Sequence, residues 1–354
     1  MRKRCRIGII GAGAMGRAHF DVLTRNPDYE VVGVADPVAI ALAPFTSAGV
    51  ATFPDQRKML DDAKPDAVVI ATPNSHHVHA ALECIDRKIG MLIEKPVADT
   101  IESALELLKA LEKSPAPVLV GHHRRHNPLL KAAAKHIAAG GIGKVVAVIG
   151  LWLRRKPDEY FKDLWKLDPA RGGGVLLINT IHDIDCLRML CGEIESVQAV
   201  TSNAVRNLGV EDTAAVTLRF TSGALGTVTV SDATTAPWCW EMTSQEDTRF
   251  ATIPENCYIV CGTQGSITVP TLETWTNEPN GGRDAPLIRR RLYHLAADAL
   301  TEQFVHFAAV MRGEQQPLVS AADATRTLAA TLAIRQSAAH GNAVCIADML
   351  GEKR

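Results

Sequence analysis

The sequence predicts an α/β chain: a doubly wound parallel sheet first, then an α+β domain with a mostly antiparallel sheet. Two observations carry the first half. Short apolar runs alternate with helix-like segments over residues 1 to about 121, and a glycine-rich turn, Gly11-Ala12-Gly13-Ala14-Met15-Gly16, follows the first run and opens a helix. One observation carries the second half. After about residue 143, β-rich stretches follow one another with turn residues between them.

The strands expected in the first half are Ile7–Ile10, Val31–Ala35, Ala67–Ala71, Met91–Glu94 and Val118–Val120, with helices over Ser75–Arg87 and Thr100–Glu112. Ligands of such a sheet sit at the carboxyl ends of its strands, where Thr72-Pro73-Asn74 and Glu94-Lys95-Pro96 fall. The second half reads as Val145–Leu153, Val197–Val205, Ala214–Phe220, Leu225–Ser231, Tyr258–Cys261 and Ser266–Val269. Gly172-Gly173-Gly174 and a helix to about Leu190 interrupt it, and helices near 294–311 and 321–339 end the chain. Residues 271–290, rich in Thr, Asn, Pro and Gly, read as a loop or mobile segment. With 354 residues, two domains are expected: 1–122 for a nucleotide and 123–354 for substrate and assembly, the final helices packing back on the first.

The glycine turn has a physical job at each position. Gly11 allows the tight turn, Gly13 lets backbone approach a diphosphate, and Gly16 lets the helix close on the strand. The helix start at Ala14 and Met15 offers free N–H groups and the positive dipole end. Asp36 ends the second strand and suits the two adenosine ribose hydroxyls, with a turn cap before Pro37 as the plain alternative. A 2′-phosphate would repel this carboxylate, and Pro37-Val38-Ala39-Ile40 supplies no arginine to receive one. NAD is therefore favoured over NADP.

The formal net charge of −1 gives no electrostatic case for nucleic acid or an anionic membrane. No apolar run approaches the ~18 residues that span a bilayer. Met1-Arg2-Lys3-Arg4 before an apolar stretch imitates an export signal, but cleavage there would remove the glycine turn. The eight cysteines are scattered, Cys257 and Cys261 lack a completing pair or histidine, and no metal site is expected. Free thiols in a reducing cytoplasm fit this pattern.

Several residues suit chemistry, each with a plainer alternative. Lys95, fixed before Pro96 at a strand end, suits stabilising an alkoxide, or is a solvated lysine. His182 suits a general base, with Asn179 and Asp185 three residues to either side on one helix face, or is a satisfied core histidine. The stretch His122-His123-Arg124-Arg125-His126 and the group Arg154, Arg155, Lys156, Lys162, Lys166 and Arg171 suit an anionic substrate, or form a solvated rim. Trp238 and Trp240, two apart on an expected strand, share a face for a sugar ring, the core or a subunit contact. His76 and His77 follow Thr72-Pro73-Asn74 and line the cofactor end or start a helix.

In this order, the glycine turn, Thr72-Pro73-Asn74, Glu94-Lys95-Pro96, Arg125-x-x-Pro128 and Gly172-Gly173-Gly174 with His182 and Asp185 eight and eleven residues beyond resemble the Gfo/Idh/MocA family. That family takes in glucose–fructose oxidoreductase, inositol dehydrogenase and rhizopine-catabolism proteins, and the resemblance runs to Pro317-Leu318-Val319-Ser320 and the following helix. It implies a Rossmann domain and a second domain with a large open sheet that makes dimers or tetramers. It also implies that Lys95 is the active-site lysine, that His182 is the proton donor or acceptor, and that Arg125 and Pro128 belong to the arginine segment. Relatives acting on inositols place an aspartate four residues before the histidine. Here that position is Ile178, with Asn179 beside it.

The resulting expectation is an NAD-dependent dehydrogenase of a secondary alcohol on a sugar, cyclitol or sugar acid. Its alternatives are a dehydrogenase of a uronate or carboxylated ring diol, and a non-catalytic NAD-binding sensor. Gly11, Gly13, Ala14, Met15, Gly16, Asp36, Thr72, Pro73, Asn74, His77, Glu94 and Lys95 are expected at the cofactor. Lys95, Arg125, Arg154, Tyr160, Lys166, Asn179 and His182 are expected at the substrate.

Overall fold

A computed structural model describes residues 3–246, 249–278 and 284–352, which divide into two compact units: 1–123 with 299–328, and 124–298 with 329–354. In the first, β1 (Cys5–Ile10) is followed by α1 (Ala14–Leu23), β2 (Tyr29–Ala35), α2 (Ala39–Ser47), β3 (Thr52–Phe53), α3 (Gln56–Ala63) and β4 (Ala67–Ile70). Then come α4 (His77–Asp86), β5 (Gly90–Glu94), α5 (Ile101–Lys113) and β6 (Val118–Gly121). The strands form one parallel sheet in the order β3-β2-β1-β4-β5-β6. β4 and β5 are buried along their whole length, as a sheet covered on both faces requires. The short β3, which lacks any apolar run, was not expected from sequence.

The second unit contains α6 (Pro128–Ala138), β7 (Val145–Leu153), α7 (Ile181–Cys191), β8 (Ile194–Ser202), β9 (Thr213–Phe220), β10 (Leu225–Ser231), α8 (Trp240–Thr243), β11 (Tyr258–Gly262), β12 (Gly265–Val269), β13 (Glu273–Asn277) and β14 (Leu287–Arg291). Its sheet runs β14-β13-β12-β11-β7-β10-β9-β8, with the short β15 (Val344–Cys345) beyond β8. Only β7 and β10 pair in parallel; every other neighbour is antiparallel. Burial alternates along β9 and β10, so one face is covered and the other is open. Val146 and Ile149 on β7, Val200 on β8 and Leu225 on β10 stand exposed.

Two expectations fail in this unit. Within the expected loop 271–290, Glu273–Asn277 and Leu287–Arg291 are instead paired as antiparallel strands β13 and β14; the expectation falls in part on 279–283, outside the described residues. Trp238 and Trp240 do not share a strand face. Trp240 opens α8 and is buried against Tyr258, with ring centroids 6.0 Å apart, while Trp238 is exposed in the preceding loop.

α9 (Ala299–Met311) packs in the first unit. Tyr29 donates its hydroxyl to Phe304 O at 2.7 Å, and Phe304 and Phe307 are fully buried, each worth roughly 1.5–3 kcal/mol. α10 (Ala321–His340) ends in the second unit, where Ser337 Oγ accepts the Ala199 N–H at 2.9 Å; α11 (Ile346–Leu350) follows β15.

Candidate functional site

The glycine turn closes backbone on backbone. Gly11 has φ +102°, and a Cβ there would lie 2.5 Å from Ala71 O; a Cβ on Gly16 would lie 2.0 Å from Gly11 O. At Gly13 a Cβ would meet nothing within 4 Å. The outer lip of the turn is thus free to receive a ligand, with the exposed Ala14 and Met15 beginning α1 beside it. Asp36 is pinned at the same place: Oδ2 accepts the Ala12 N–H at 2.7 Å and Oδ1 the Val38 N–H at 2.8 Å. The turn-capping alternative therefore holds for one oxygen, while the other ties Asp36 to the glycine turn. A carboxylate oxygen has room for a second donor, so ribose hydroxyls remain acceptable to both. These residues fit a dinucleotide.

Two further strand ends are braced by His77. Its Nδ1 lies 2.8 Å from Pro96 O and its Nε2 2.9 Å from Thr72 O. Burial pushes the imidazole below its ordinary 6.5, against the pull of the two carbonyls, so in the neutral ring one contact is a hydrogen bond. His77 thereby links the Thr72-Pro73-Asn74 turn to the Lys95-Pro96 turn, whose peptide is cis. Glu94 faces inward as well. Its carboxylate meets His19 Nε2 at 2.7 Å and the Lys95 N–H at 3.2 Å. Burial alone would raise its pKa; the His19 hydrogen bond and charge, with His123 and Lys95, outweigh it and hold the group at about 2. His19 was not picked out from sequence, since nothing in α1 distinguishes it from a surface histidine. Lys95 itself is half-buried.

In the second unit, a single π-helical turn, Leu176–Thr180, precedes α7 and carries Ile178 and Asn179 part-exposed. The triple glycine before it has a packing reason. A Cβ on Gly173 would fall 2.5 Å from Lys166 O, and Gly174 has φ +91°. α7 is buried almost all round, so its polar side chains need partners. His182 is 8 % exposed. Asp183 accepts the Tyr258 hydroxyl at 2.5 Å and lies 3.6 Å from Arg124 Nη1. Arg125 makes a two-bond fork on Asp185, 2.8 Å each.

Arg124 also meets Glu241 at 2.9 Å and Glu246 at 3.5 Å. Arg124 and Arg125 are therefore matched by acids of their own unit, which removes the case for Arg124 as a free anion site. Three carboxylates around one guanidinium carry excess negative charge. Burial, opposed by Arg124 and Tyr258, leaves Asp183 raised to about 7.

The second basic group divides. Lys166 is paired with Asp163 at 2.8 Å and lies over the Tyr160 ring at 3.7 Å; Arg154 stacks on Phe250 at 4.0 Å. Lys156 is buried, donates to Asn179 Oδ1 at 2.5 Å, and lies over the rings of Tyr160 at 4.2 Å and Trp152 at 5.3 Å. Burial pushes it down to about 7, against the pull of Asp232 and Glu241 and with Arg154 and Lys166 adding to the fall. Tyr160, Lys166 and Asn179 thus gather around a residue that sequence reading placed only within a basic run. No signal in the sequence separates Lys156 from Arg154 or Arg155. Among the described residues, no group of three or more His, Cys, Asp or Glu is arranged to hold a metal.

Comparison with known proteins bears on this geometry. Residues 5–122 match the oxidoreductase family with an NAD-binding Rossmann fold, and residues 130–268 match the GFO/IDH/MocA C-terminal domain. The chain belongs to the GFO/IDH/MocA family of oxidoreductases. It is 30% identical to the 1,5-anhydro-D-fructose reductase of Ensifer adhaerens, over 96% of this chain and 97% of that protein. Against the scyllo-inositol 2-dehydrogenase (NAD(+)) of Bacillus subtilis (strain 168), identity is 27%, over 96% of each. The rhizopine catabolism protein MocA of Rhizobium meliloti is 30% identical over a shorter match, 54% of this chain and 58% of that protein. In fold, an oxidoreductase from Agrobacterium radiobacter crystallised with NAD+, L-tartaric acid and magnesium superposes with TM-score 0.83, over 98% of this chain and 100% of that one, at 20% identity. The expected fold class and family membership both hold.

Proposed function

We propose that this GFO/IDH/MocA oxidoreductase is an NAD-dependent dehydrogenase acting on a secondary alcohol of a sugar, cyclitol or sugar acid. The observation that carries the cofactor choice is Asp36, whose carboxylate is held against the glycine turn by the Ala12 and Val38 N–H groups. A 2′-phosphate brought to that carboxylate would meet like charge, whereas ribose hydroxyls would meet acceptors. The substrate class is supported by the relatives named for anhydro-fructose and scyllo-inositol, which align along nearly the whole chain.

When bound, the nicotinamide supplies the hydride acceptor. In this reading, the O–H proton of the alcohol goes to His182 and the C–H hydride to the cofactor, leaving a carbonyl. The Lys95 ammonium donates to the oxygen as negative charge develops on it. Gly13, Ala14, Met15, Gly16, Thr72, Pro73 and Asn74 form the cofactor's bed. Glu94 and His77 act behind Lys95, since their side chains are committed to His19 and to two backbone carbonyls.

The reading extends to assembly and place. Copies associate through the open face of the β7–β10 region, a proposal supported by the exposed Val146, Ile149, Val200 and Leu225. The eight free cysteines, five of them buried, support a reducing, cytoplasmic setting. The testing experiment is NADH formation followed at 340 nm across neutral sugars, inositols and sugar acids, with NADP in parallel. Turnover with NAD on one class supports the reading. NAD binding with no turnover of any class would move the protein to a sensor role.

A further inference from the structure

Lys156 is a buried amine with no carboxylate bonded to it among the described residues. Its side chain is 4% exposed, and Asn179 Oδ1 is the one hydrogen-bond acceptor its Nζ reaches among the described residues. The two carboxylates that act on it electrostatically are engaged elsewhere. Asp232 accepts from Arg206 Nε at 2.7 Å, and Glu241 from Arg124 at 2.9 Å and Trp152 Nε1 at 3.1 Å. The other charges felt at Lys156, Arg154 and Lys166, are cationic. Burial without a bonded anion favours the neutral amine, and a carboxylate arriving beside it would restore the charged form.

Asn179 completes a donor pair. Its amide oxygen accepts from Lys156 Nζ, which leaves the amide nitrogen with two N–H groups to donate. That nitrogen has no hydrogen-bond partner among the described residues. Arg154, Tyr160, Lys166 and Asn179 are all part-exposed, so the buried amine lies beneath cations and an aromatic ring that solvent reaches. One N–H of the amide and one of the amine, from two different nitrogens, suit the two oxygens of one carboxylate, and the bond to the amine is charge-assisted once it is protonated. Ile178, on the same π-helical turn, offers nothing to a hydroxyl.

We infer that Lys156 and Asn179 together bind a carboxylate of the substrate, and that the substrate class is therefore sugar acids rather than neutral sugars or cyclitols. This rests on the dehydrogenase reading for its consequence in turnover, but the binding site itself does not.

Calorimetry on the full-length protein saturated with NADH tests the binding without turnover. The probes are glucuronate, galacturonate and gluconate, against glucose, myo-inositol and glucose 6-phosphate, in two buffers of different ionisation heat at pH 8. Burial holds Lys156 near neutrality in the absence of an anion, so binding of a carboxylate should draw close to one proton from the buffer. We expect at least one sugar acid to bind ten-fold or more tightly than glucose, with proton uptake. In Lys156→Met both the preference and the uptake should disappear, while NADH affinity and the melting temperature of the NADH complex show that the variant is folded. Asn179→Ala should weaken sugar-acid binding yet keep the proton uptake.

Preference for glucose, inositol or glucose 6-phosphate overturns the inference, as does sugar-acid binding with unchanged uptake in Lys156→Met. Absence of binding by all six probes overturns it too. Sugar-acid binding with the stated uptake but without NAD reduction would leave the inference standing and remove the dehydrogenase reading.

Discussion

Arg125 holds Asp185 through two parallel N–H···O bonds of 2.8 Å, with both side chains almost fully removed from water. From sequence, Asp185 shared a helix face with His182, and Arg125 was a residue expected at the substrate. The fork places them on one another. Removing the arginine takes two charged hydrogen bonds from a buried carboxylate, so Arg125→Ala should cost about 3–5 kcal/mol of stability. Arg125→Lys should recover only part, because one ammonium cannot reproduce the fork. Urea unfolding measures both, and a loss under about 1 kcal/mol for the alanine variant would show the pair to be dispensable.

Asp183 gives the fold an acid-side advantage with a definite sign. Its carboxyl is raised from 3.8 to about 7, so the stability it contributes is complete below about pH 4 and is lost as pH rises through 7. In Asp183→Asn, which keeps an acceptor for the Tyr258 hydroxyl, the stability curve should be flatter between pH 4 and 7 than in the parent. Thermal unfolding across that range checks it, and parallel curves would contradict it.

Asp36→Ala should weaken NAD binding by roughly ten- to a hundred-fold, the worth of about 1.5–3 kcal/mol of hydrogen bonding to a charged group. NADP should lose less or gain, because the repelling carboxylate is gone. Fluorescence titration with NADH and NADPH gives both constants. Equal losses for the two would mean that Asp36 serves the turn alone.

Lys95→Met should lower kcat by about a hundred-fold or more, with NADH affinity changed less than three-fold, if its ammonium acts on the developing oxyanion. Unchanged turnover removes Lys95 from the chemistry.

His182→Asn should lower kcat by about 10²–10⁴-fold and abolish the acidic limb of the pH–rate profile, as expected for a lost general base. A variant that keeps the limb would assign that titration to another group.

The legible parts of this chain were those in which local and tertiary requirements coincide. β1, the glycine turn, α1 and β2 could be placed because an apolar run, three glycines with separate steric tasks and a terminal acid all describe the same crossover. β13 and β14 were read as loop because a strand at a sheet margin need not carry an apolar face; the burial in β14 is slight. Trp238 and Trp240 misled because spacing by two implies a strand only if the backbone stays extended, and it turns helical at Trp240. Lys156 was hidden for a different reason. Its burial comes from Trp152, Tyr160 and the π-helical turn at Asn179, contacts that the local run Arg154-Arg155-Lys156 does not encode.

The outermost strand, β14, ends in Arg289, Arg290 and Arg291, and only Arg289 is drawn to Glu273 on its neighbour. A second sheet approaching that margin would bring its own row of guanidinium groups against this one before any ladder could form. The nine-stranded sheet is therefore protected at this margin against lengthening strand by strand, and so against seeding fibrils from it.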